Sequence, residues 1–240
     1  MQAGILIIGS LLWDNCNRKI WRQSRLDEAH GIPVGVSICY GRRSTSRGNT
    51  FTMTLGCGEA RGKAVLMPCV SAIESVADLV IEAKELWKAE LSKAKPDSIS
   101  AEWGTVGAIF NPTVQAGWQA GWGDYFCSHG KAVPPVDKAG ILQIPWPVAL
   151  DGSANDLDMV LAIATKAEPT LPTPTEIADA WINQDCGHER YFFENVQHDI
   201  RTPDDHLIWQ RIECMDPPWL NQGAYNKAIS NLRSTCIGRV

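Results

Sequence analysis

The chain has 240 residues, of which 45% are hydrophobic and 20% are charged. This composition can fill a substantial core, and we predict a single domain over residues 1–240. The formal net charge of −5 at pH 7 provides no broad basic field for a phosphate backbone, so no nucleic-acid partner is predicted.

The N-terminal apolar run and the cysteines bear on location. Residues 5–8 form an apolar run too short to span a bilayer, with no basic segment before it and no small-residue cleavage site after it. The eight cysteines are scattered and predict no disulfide framework. We therefore expect a cytoplasmic protein without a membrane segment, and the sequence gives no indication of its oligomeric state.

The first predicted element is a buried strand that ends in a loop. Gly4 to Trp13 reads GILIIGSLLW, an apolar, β-branched run that stops at Gly9-Ser10. Residues with little or no side chain, such as Gly and Ser, suit a loop at the end of a central strand. This loop is the first candidate site.

Closely spaced strands follow the loop. Alternating patterns predict strands at residues 35–41, 51–55 and 62–67, with a polar segment at residues 42–49 between the first two. Strands joined by short connections indicate an antiparallel sheet that curls into a barrel.

The clearest predicted helix runs from Ser71 to about Lys93, with Pro96 beyond its end. Its apolar residues recur at helical spacing, and Glu82 falls at the edge of the stripe they form. These residues are Val76, Leu79, Val80, Ala83, Leu86, Trp87 and Leu91.

The second half of the chain contains further strands and helices around an unusual segment. Residues 112–138 are rich in Gly, Trp and Pro and are interpreted as an insertion within the domain. Within it, Trp118 and Trp122 are candidates for an exposed or substrate-facing role, whereas Trp87 is predicted to be core. Strands are predicted at 104–110, 141–144 and 157–164, and helices at 175–181 (N-cap Thr173 or Thr175), 191–200 and 204–212.

Glu90 is the candidate acid/base. On a wheel of about 100° per residue it falls inside the apolar stripe centred on Leu79, Ala83, Leu86 and Trp87. Burial disfavours a charged carboxylate and raises its pKa toward values at which it can both accept and donate a proton near neutral pH. The alternative is that the helix has frayed by residue 90 and that Glu90 is solvated.

The loop at Gly9-Ser10 has a separate chemical rationale. Backbone N–H groups at the end of a strand bind carboxylates or developing oxyanions without a charged side chain. The alternative is an ordinary turn.

Together these segments resemble the γ-glutamylcyclotransferase-like superfamily (ChaC-type or AIG2-like members). IIGSLLWD is similar to the family's substrate loop, and residues 42–49 followed by Gly62-Lys63-Ala64-Val65 resemble the stretch with a Ser and an Arg-Gly-Thr before a Gly-Val-Ala-Tyr strand. Residues 86–91, LWKAEL, resemble the segment with the catalytic Glu, and residues 161–165, 191–196 and 204–212 resemble the later strand and closing helices.

The resemblance implies an α+β fold: a small mixed, largely antiparallel β-barrel with flanking helices. It implies an enzyme that releases 5-oxoproline from a small-molecule γ-glutamyl amide or peptide by attack of the α-amine, with Glu90 as acid/base and no metal or organic cofactor. The implied substrate-binding residues are Ile8, Gly9, Ser10, Leu11, Leu12, Ser44 and Arg47.

Two departures from the family pattern keep a second reading open. The family usually has Tyr before the loop glycine, where this chain has Ile8, so a hydrogen bond made by that phenol is missing. The segment at residues 112–138 has no recognised counterpart. The alternative is a member of the same fold that binds a small molecule or a protein without turnover.

Two further alternatives rest on Cys-x-His pairs. Cys127 and His129, together with Cys186 and His188, offer four ligands for zinc, although not at the spacing of a finger or ribbon. A Cys-His enzyme with Cys127 or Cys186 as nucleophile is the other, without a local signature to support it.

Overall fold

The computed structural model describes residues 1–91, 93–95, 97–153, 155–184 and 187–237. Over these residues the chain is α+β, with a mostly antiparallel sheet curled into a half-barrel and seven flanking α-helices. The predicted class is confirmed, whereas the predicted barrel is observed as a half-barrel. Within the same ranges, no helix has the length and apolar character needed to cross a membrane.

The strands and helices have the following bounds. The strands are β1 Ala3–Ile7, β2 Ile32–Val36, β3 Ile38–Ser44, β4 Thr50–Leu55, β5 Gly62–Pro68, β6 Ser100–Ala101, β7 Gly104–Phe110, β8 Val148–Ala149 and β9 Met159–Thr165. The helices are α1 Asn17–Arg25, α2 Val76–Glu90, α3 Ala116–His129, α4 Pro174–Ile182, α5 Arg190–Gln197, α6 Asp205–Met215 and α7 Asn226–Ile237.

Strand β1 lies at the centre of a seven-stranded sheet with the order β6-β7-β9-β1-β5-β2-β8. It pairs parallel with β9, with Ile5 opposite Leu161, and antiparallel with β5, with Ile5 opposite Met67. Every residue of β1 and β9 is buried. Strands covered on both faces have continuous apolar sequences, which is why the run after Gly4 predicts this strand correctly. The chain leaves the sheet centre directly into the Gly9-Ser10 loop.

The β3–β4 pair forms a separate ribbon. The prediction of one strand over residues 35–41 is wrong, because the strand breaks at Ser37. There the Ser37 carbonyl accepts a hydrogen bond from the Gly56 N–H and its hydroxyl donates to the Gly58 carbonyl. A register shift between Tyr40 and Arg42 marks a bulge in β3, and a bulge re-aims the side chains beside it.

A disulfide joins the two strands of this ribbon at one end. It links Cys39, on β3, to Cys57, which follows β4 by two residues. The cysteine spacing does not predict this bond, because the pairing depends on the hydrogen-bonded ribbon that brings the two residues together.

Helix α2 is shorter than predicted at both ends. Ser75 caps it: the Ser75 Oγ accepts from the Asp78 N–H, and the Asp78 carboxylate accepts from the Ser75 N–H at 2.8 Å. Glu90 is its last residue, and the N–H of Leu91 donates to the Trp87 carbonyl. Pro96, expected to end the helix, lies outside the described residues. The predicted apolar stripe is confirmed, since its four central residues are buried.

Glu82 is more buried than its position at the edge of the stripe indicates. It is 3% exposed, and Arg25 of α1 donates to both of its carboxylate oxygens, at 2.5 and 3.2 Å. Burial raises the pKa of Glu82 despite the opposing guanidinium. This pair fastens α1 to α2.

The segment at residues 112–138 contains helix α3, which the sequence does not predict. Trp122 is fully buried and its indole N–H donates to the Gly140 carbonyl at 2.9 Å, so the expectation that it is exposed or substrate-facing is wrong. Trp118 is half-buried and packs on the core. A β-carbon on Gly121 would lie 2.8 Å from Val76, so this glycine lets α3 approach α2 closely.

Other expectations in the second half are partly met. Residues 141–144 do not form a strand: Ile141 and Leu142 make only isolated bridges, to Ala108 and Val136. Helices α4, α5 and α6 correspond to the three predicted ones, and Thr173 is the N-cap of α4, in a capping box with Glu176. Helices α1 and α7 are not predicted.

Candidate active site

A cavity of about 360 Å³ lies where the end of β1, the β3–β4 ribbon and the C-terminus of α2 meet. Most of the predicted site residues line it, namely Ile8, Gly9, Ser10, Leu11, Ser44, Arg47 and Glu90. Leu12 does not line the cavity, and its N–H donates to the Gly9 carbonyl at 2.9 Å. The structure therefore does not bring Leu12 together with the other predicted site residues, and its N–H closes the turn. The other lining residues are Leu6, Arg18, Arg42, Thr45, Ser46, Thr52, Met53, Leu91, Trp103, Ile163, Thr165 and Tyr191.

Glu90 faces this cavity from the last turn of α2. Its side chain is 20% exposed, and its Oε2 lies 3.0 Å from Nη2 of Arg18. Burial raises the pKa of Glu90, and the positive charges of Arg18, Arg42 and Arg47 oppose that rise. The predicted apolar face and the observed position agree, and the alternative of a frayed, solvated Glu90 is wrong.

Arg18 connects the acid/base to the loop. Besides its ion pair with Glu90, its guanidinium donates to Ser10 Oγ at 2.6 Å, to Asp14 Oδ2 at 3.2 Å and to the Ala89 carbonyl at 3.3 Å. Sequence reasoning missed Arg18 because it lies on the unpredicted helix α1. The one local signal is its spacing of four residues from Asp14, which suits an ion pair at a helix start.

Within the described residues, the loop that lines the cavity contains both paired and unpaired backbone N–H groups. The N–H of Asp14 donates to the Ser10 carbonyl at 2.9 Å, as that of Leu12 does to Gly9. Within the described part of the chain, the N–H groups of Gly9, Ser10 and Leu11 have no hydrogen-bond acceptor. Unpaired N–H groups at the end of a strand form a site for a carboxylate or an oxyanion.

Tyr191, the second residue of α5, brings a phenol to the same loop. A β-carbon on Gly9 would lie 2.5 Å from the Tyr191 hydroxyl, which explains why the loop requires glycine there. The phenolic oxygen accepts a hydrogen bond from the Met53 N–H at 3.3 Å. Burial raises the pKa of Tyr191, so it is a protonated donor at neutral pH. From the sequence, Tyr191 is predicted to lie in a closing helix, and no role in the site is predicted for it.

The two residues predicted from the polar segment lie on the ribbon side of the cavity. Arg47 donates to Ser10 Oγ at 3.4 Å and its guanidinium lies 4.8 Å from the centre of the Tyr191 ring. Ser44 is 2% exposed, and its Oγ lies 3.2 Å from that of Ser46. Arg47 thus both lines the cavity and braces the loop through Ser10.

Arg42 is a further cation that sequence reasoning did not single out. Its guanidinium lies 4.5 Å from the centre of the Trp103 ring. Burial lowers the pKa of Arg42, while the Glu90 carboxylate opposes that effect. Among the described lining residues, three arginines thus face one carboxylate, and the cavity suits a ligand with net negative charge.

Cys127 and His129 lie away from the cavity. Cys127 is exposed on α3, and His129 stacks on Tyr125 with ring centres 4.3 Å apart; neither residue lines the cavity. Cys186 lies outside the described residues. Within the ranges that are described, no three or more His, Cys, Asp or Glu side chains are grouped to hold a metal ion.

The comparisons with known proteins add no relative to these observations. No family model, curated protein or solved structure matches the chain.

Proposed function

We propose that this chain is an enzyme of the γ-glutamylcyclotransferase-like fold that releases 5-oxoproline from γ-glutamyl amides or peptides. The observation that carries the proposal is that the Glu90 carboxylate faces an open cavity also lined by the Gly9–Leu11 loop. A buried carboxylate beside a set of unpaired N–H groups combines a proton acceptor with an oxyanion site.

The reaction requires proton transfers that one carboxylate can relay. Glu90 takes a proton from the α-ammonium of the substrate, and the free amine attacks the γ-carbonyl carbon to form the ring C–N bond. The tetrahedral intermediate then collapses, the bond to the leaving nitrogen breaks, and Glu90 returns a proton to that nitrogen. A second proton then leaves the ring nitrogen through Glu90 and reaches the released amine in the same way, so the α-ammonium loses two protons, the amine gains two, and Glu90 ends in its starting state.

The loop and its neighbours have separate roles in this scheme. The N–H groups of Gly9, Ser10 and Leu11 bind the developing oxyanion, and the Tyr191 hydroxyl beside Gly9 supplies a further donor. This phenol comes from α5, while the loop itself has Ile8 where the family has a tyrosine. Arg47 supplies positive charge for the α-carboxylate of the γ-glutamyl group.

The reaction does not depend on a cofactor. Attack by an amine of the same molecule supplies the proximity that a bimolecular reaction lacks, and the carboxyl and backbone groups supply acid/base and electrostatic assistance.

The test is release of 5-oxoproline from a panel of γ-glutamyl amino acids, peptides and amines by the wild-type chain and by Glu90→Gln. We expect Glu90→Gln to lose turnover by at least about 10²-fold, as for loss of a general acid/base, with thermal stability retained or improved because the buried charge is removed. Glu85→Gln is the matched control, since Glu85 lies on the same helix, pairs with Lys88 and does not line the cavity. Retained turnover in Glu90→Gln would remove Glu90 from the mechanism.

One observation favours a second candidate, a protein of the same fold that binds a ligand without turnover. The ion pair of Glu90 with Arg18 at 3.0 Å stabilises the charged carboxylate and occupies one of its oxygens. In this case no γ-glutamyl compound releases 5-oxoproline with the wild-type chain, while an anionic ligand still binds and raises the melting temperature.

A further inference from the structure

Arg42 is a cation in the cavity without a counter-charge in direct contact. Arg18, by comparison, forms ion pairs with Glu90 and Asp14. Within the described residues, the Arg42 guanidinium has neither a hydrogen-bond acceptor nor an ion-pair partner, and it lies 4.5 Å from the centre of the Trp103 ring. Its side chain is half-buried, so its charge is held partly away from water.

This arrangement is suited to recognition of an anion. A guanidinium that stacks on an indole is fixed in its plane while its N–H groups remain free to donate in a fork. Such a fork binds carboxylates with two parallel hydrogen bonds. Because Arg42 and Glu90 line one cavity, a ligand whose ammonium meets Glu90 has a carboxylate-binding group within the same enclosure.

The charges of the proposed substrate can be assigned one by one. The γ-glutamyl group has an α-ammonium, which meets Glu90, and an α-carboxylate, for which Arg47 at Ser10 is available. Arg18 is engaged by Glu90, Asp14 and Ser10. Among the described residues, Arg42 then remains without an ion-pair partner in direct contact, and no further negative charge exists on the γ-glutamyl group.

We propose that Arg42, stacked on Trp103, binds a carboxylate on the leaving group, so that the substrates are γ-glutamyl amino acids or peptides and not γ-glutamylamines. This inference rests on the proposed function. The cavity volume of about 360 Å³ fits this class, because it lies at the lower end of the roughly 300–1,000 Å³ of small-molecule sites.

The test compares two substrates that differ only in the carboxylate. γ-Glutamylalanine releases alanine, and γ-glutamylethylamine releases the same skeleton without the carboxylate. We expect the wild-type kcat/KM for γ-glutamylalanine to exceed that for γ-glutamylethylamine by about 10- to 100-fold, the range for one charge-assisted hydrogen-bonded pair. Arg42→Met should reduce this ratio to near one by slowing γ-glutamylalanine alone.

Arg43→Met is the matched control. Arg43 is the next residue on β3, but its guanidinium lies 4.3 Å from the Phe51 ring centre and donates to the Asn49 carbonyl, outside the cavity. This variant should keep the wild-type ratio. Circular dichroism and melting temperatures establish that both variants fold. The ratio of the two kcat/KM values of the wild-type chain tests the inference without any variant.

The outcomes separate the inference from the proposed function. Equal kcat/KM for the two substrates, or an Arg42→Met variant that slows both alike, overturns the role of Arg42 while 5-oxoproline release still supports the function. If no γ-glutamyl compound in the panel releases 5-oxoproline, the function fails and the inference fails with it.

Discussion

The guanidinium of Arg18 lies 3.0 Å from the carboxylate of Glu90 and 2.6 Å from the hydroxyl of Ser10, and so joins the acid/base to the substrate loop. Burial raises the pKa of Glu90, and Arg18 is the cation that opposes this rise most. The protonation state of Glu90 therefore depends on a residue from a different helix.

Replacing Arg18 should change the pH dependence of turnover. A positive charge favours the carboxylate, so its removal in Arg18→Met raises the pKa of Glu90 further. The proposed mechanism starts from the carboxylate, and the acidic limb of the kcat/KM profile should therefore move to higher pH. Titration of ¹³C-labelled Glu90 by NMR gives the same shift independently of activity. The control is Arg233→Met, whose partner Glu213 lies outside the cavity, and an unmoved titration in Arg18→Met contradicts the prediction.

Local periodicity accounts for the parts of the site that could be predicted. Glu90 follows from the apolar stripe of α2, and the loop follows from the point at which a buried strand meets Gly9-Ser10. Arg18, Arg42 and Tyr191 come from three other elements, and their approach depends on how α1, the ribbon and α5 pack. No spacing along the chain indicates that approach.

The elements that were predicted wrongly from the sequence also depend on contacts between distant parts of the chain. Glycines beside Trp122 indicate a loop when only local patterns are considered, yet Gly121 serves the close packing of α3 on Val76 of α2. At the break, the Ser37 carbonyl accepts from the Gly56 N–H and the Ser37 hydroxyl donates to the Gly58 carbonyl, and both partners lie about twenty positions further along the chain. Helix α1 has few apolar residues, and it is held partly by arginines that pair with acidic residues of other elements, as Arg25 does with Glu82.

The buried pair of Arg25 and Glu82 should be important for stability and independent of catalysis. Removing Arg25 leaves a carboxylate that is 3% exposed without its partner, and we expect Arg25→Ala to cost about 3–5 kcal/mol in the free energy of unfolding. The Arg25→Ala/Glu82→Leu double variant should lose less, because no buried charge remains. Urea unfolding of both variants measures the difference, and equal losses contradict the argument.

The same pair predicts how that loss depends on pH. Burial raises the pKa of Glu82 in the folded state above its ordinary value, and removing Arg25 raises the pKa further. A carboxyl group with a raised folded pKa stabilises the fold below its unfolded pKa, and this stabilisation is lost as pH rises through the folded pKa. The loss in the free energy of unfolding of Arg25→Ala, relative to wild type, should therefore be small near pH 4 and large at pH 7. A loss that is constant with pH would count against this prediction.

The contact between Gly9 and Tyr191 gives the last prediction. Gly9→Ala would place a β-carbon 2.5 Å from the phenolic oxygen, so either the loop or Tyr191 must move, at about 1–3 kcal/mol by analogy with overpacked cores. We expect lower stability and, since the loop N–H groups move, a lower kcat. In a Tyr191→Phe background the nearest ring carbon is 3.4 Å away, and Gly9→Ala should then cost much less stability.

Gly117→Ala is the control. A β-carbon at Gly117 meets nothing within 4 Å, and the residue lies in helix α3, where alanine stabilises. Equal costs of Gly9→Ala in both backgrounds would show that the phenolic oxygen is not the obstacle, and the close approach of Tyr191 would then no longer explain the glycine at position 9.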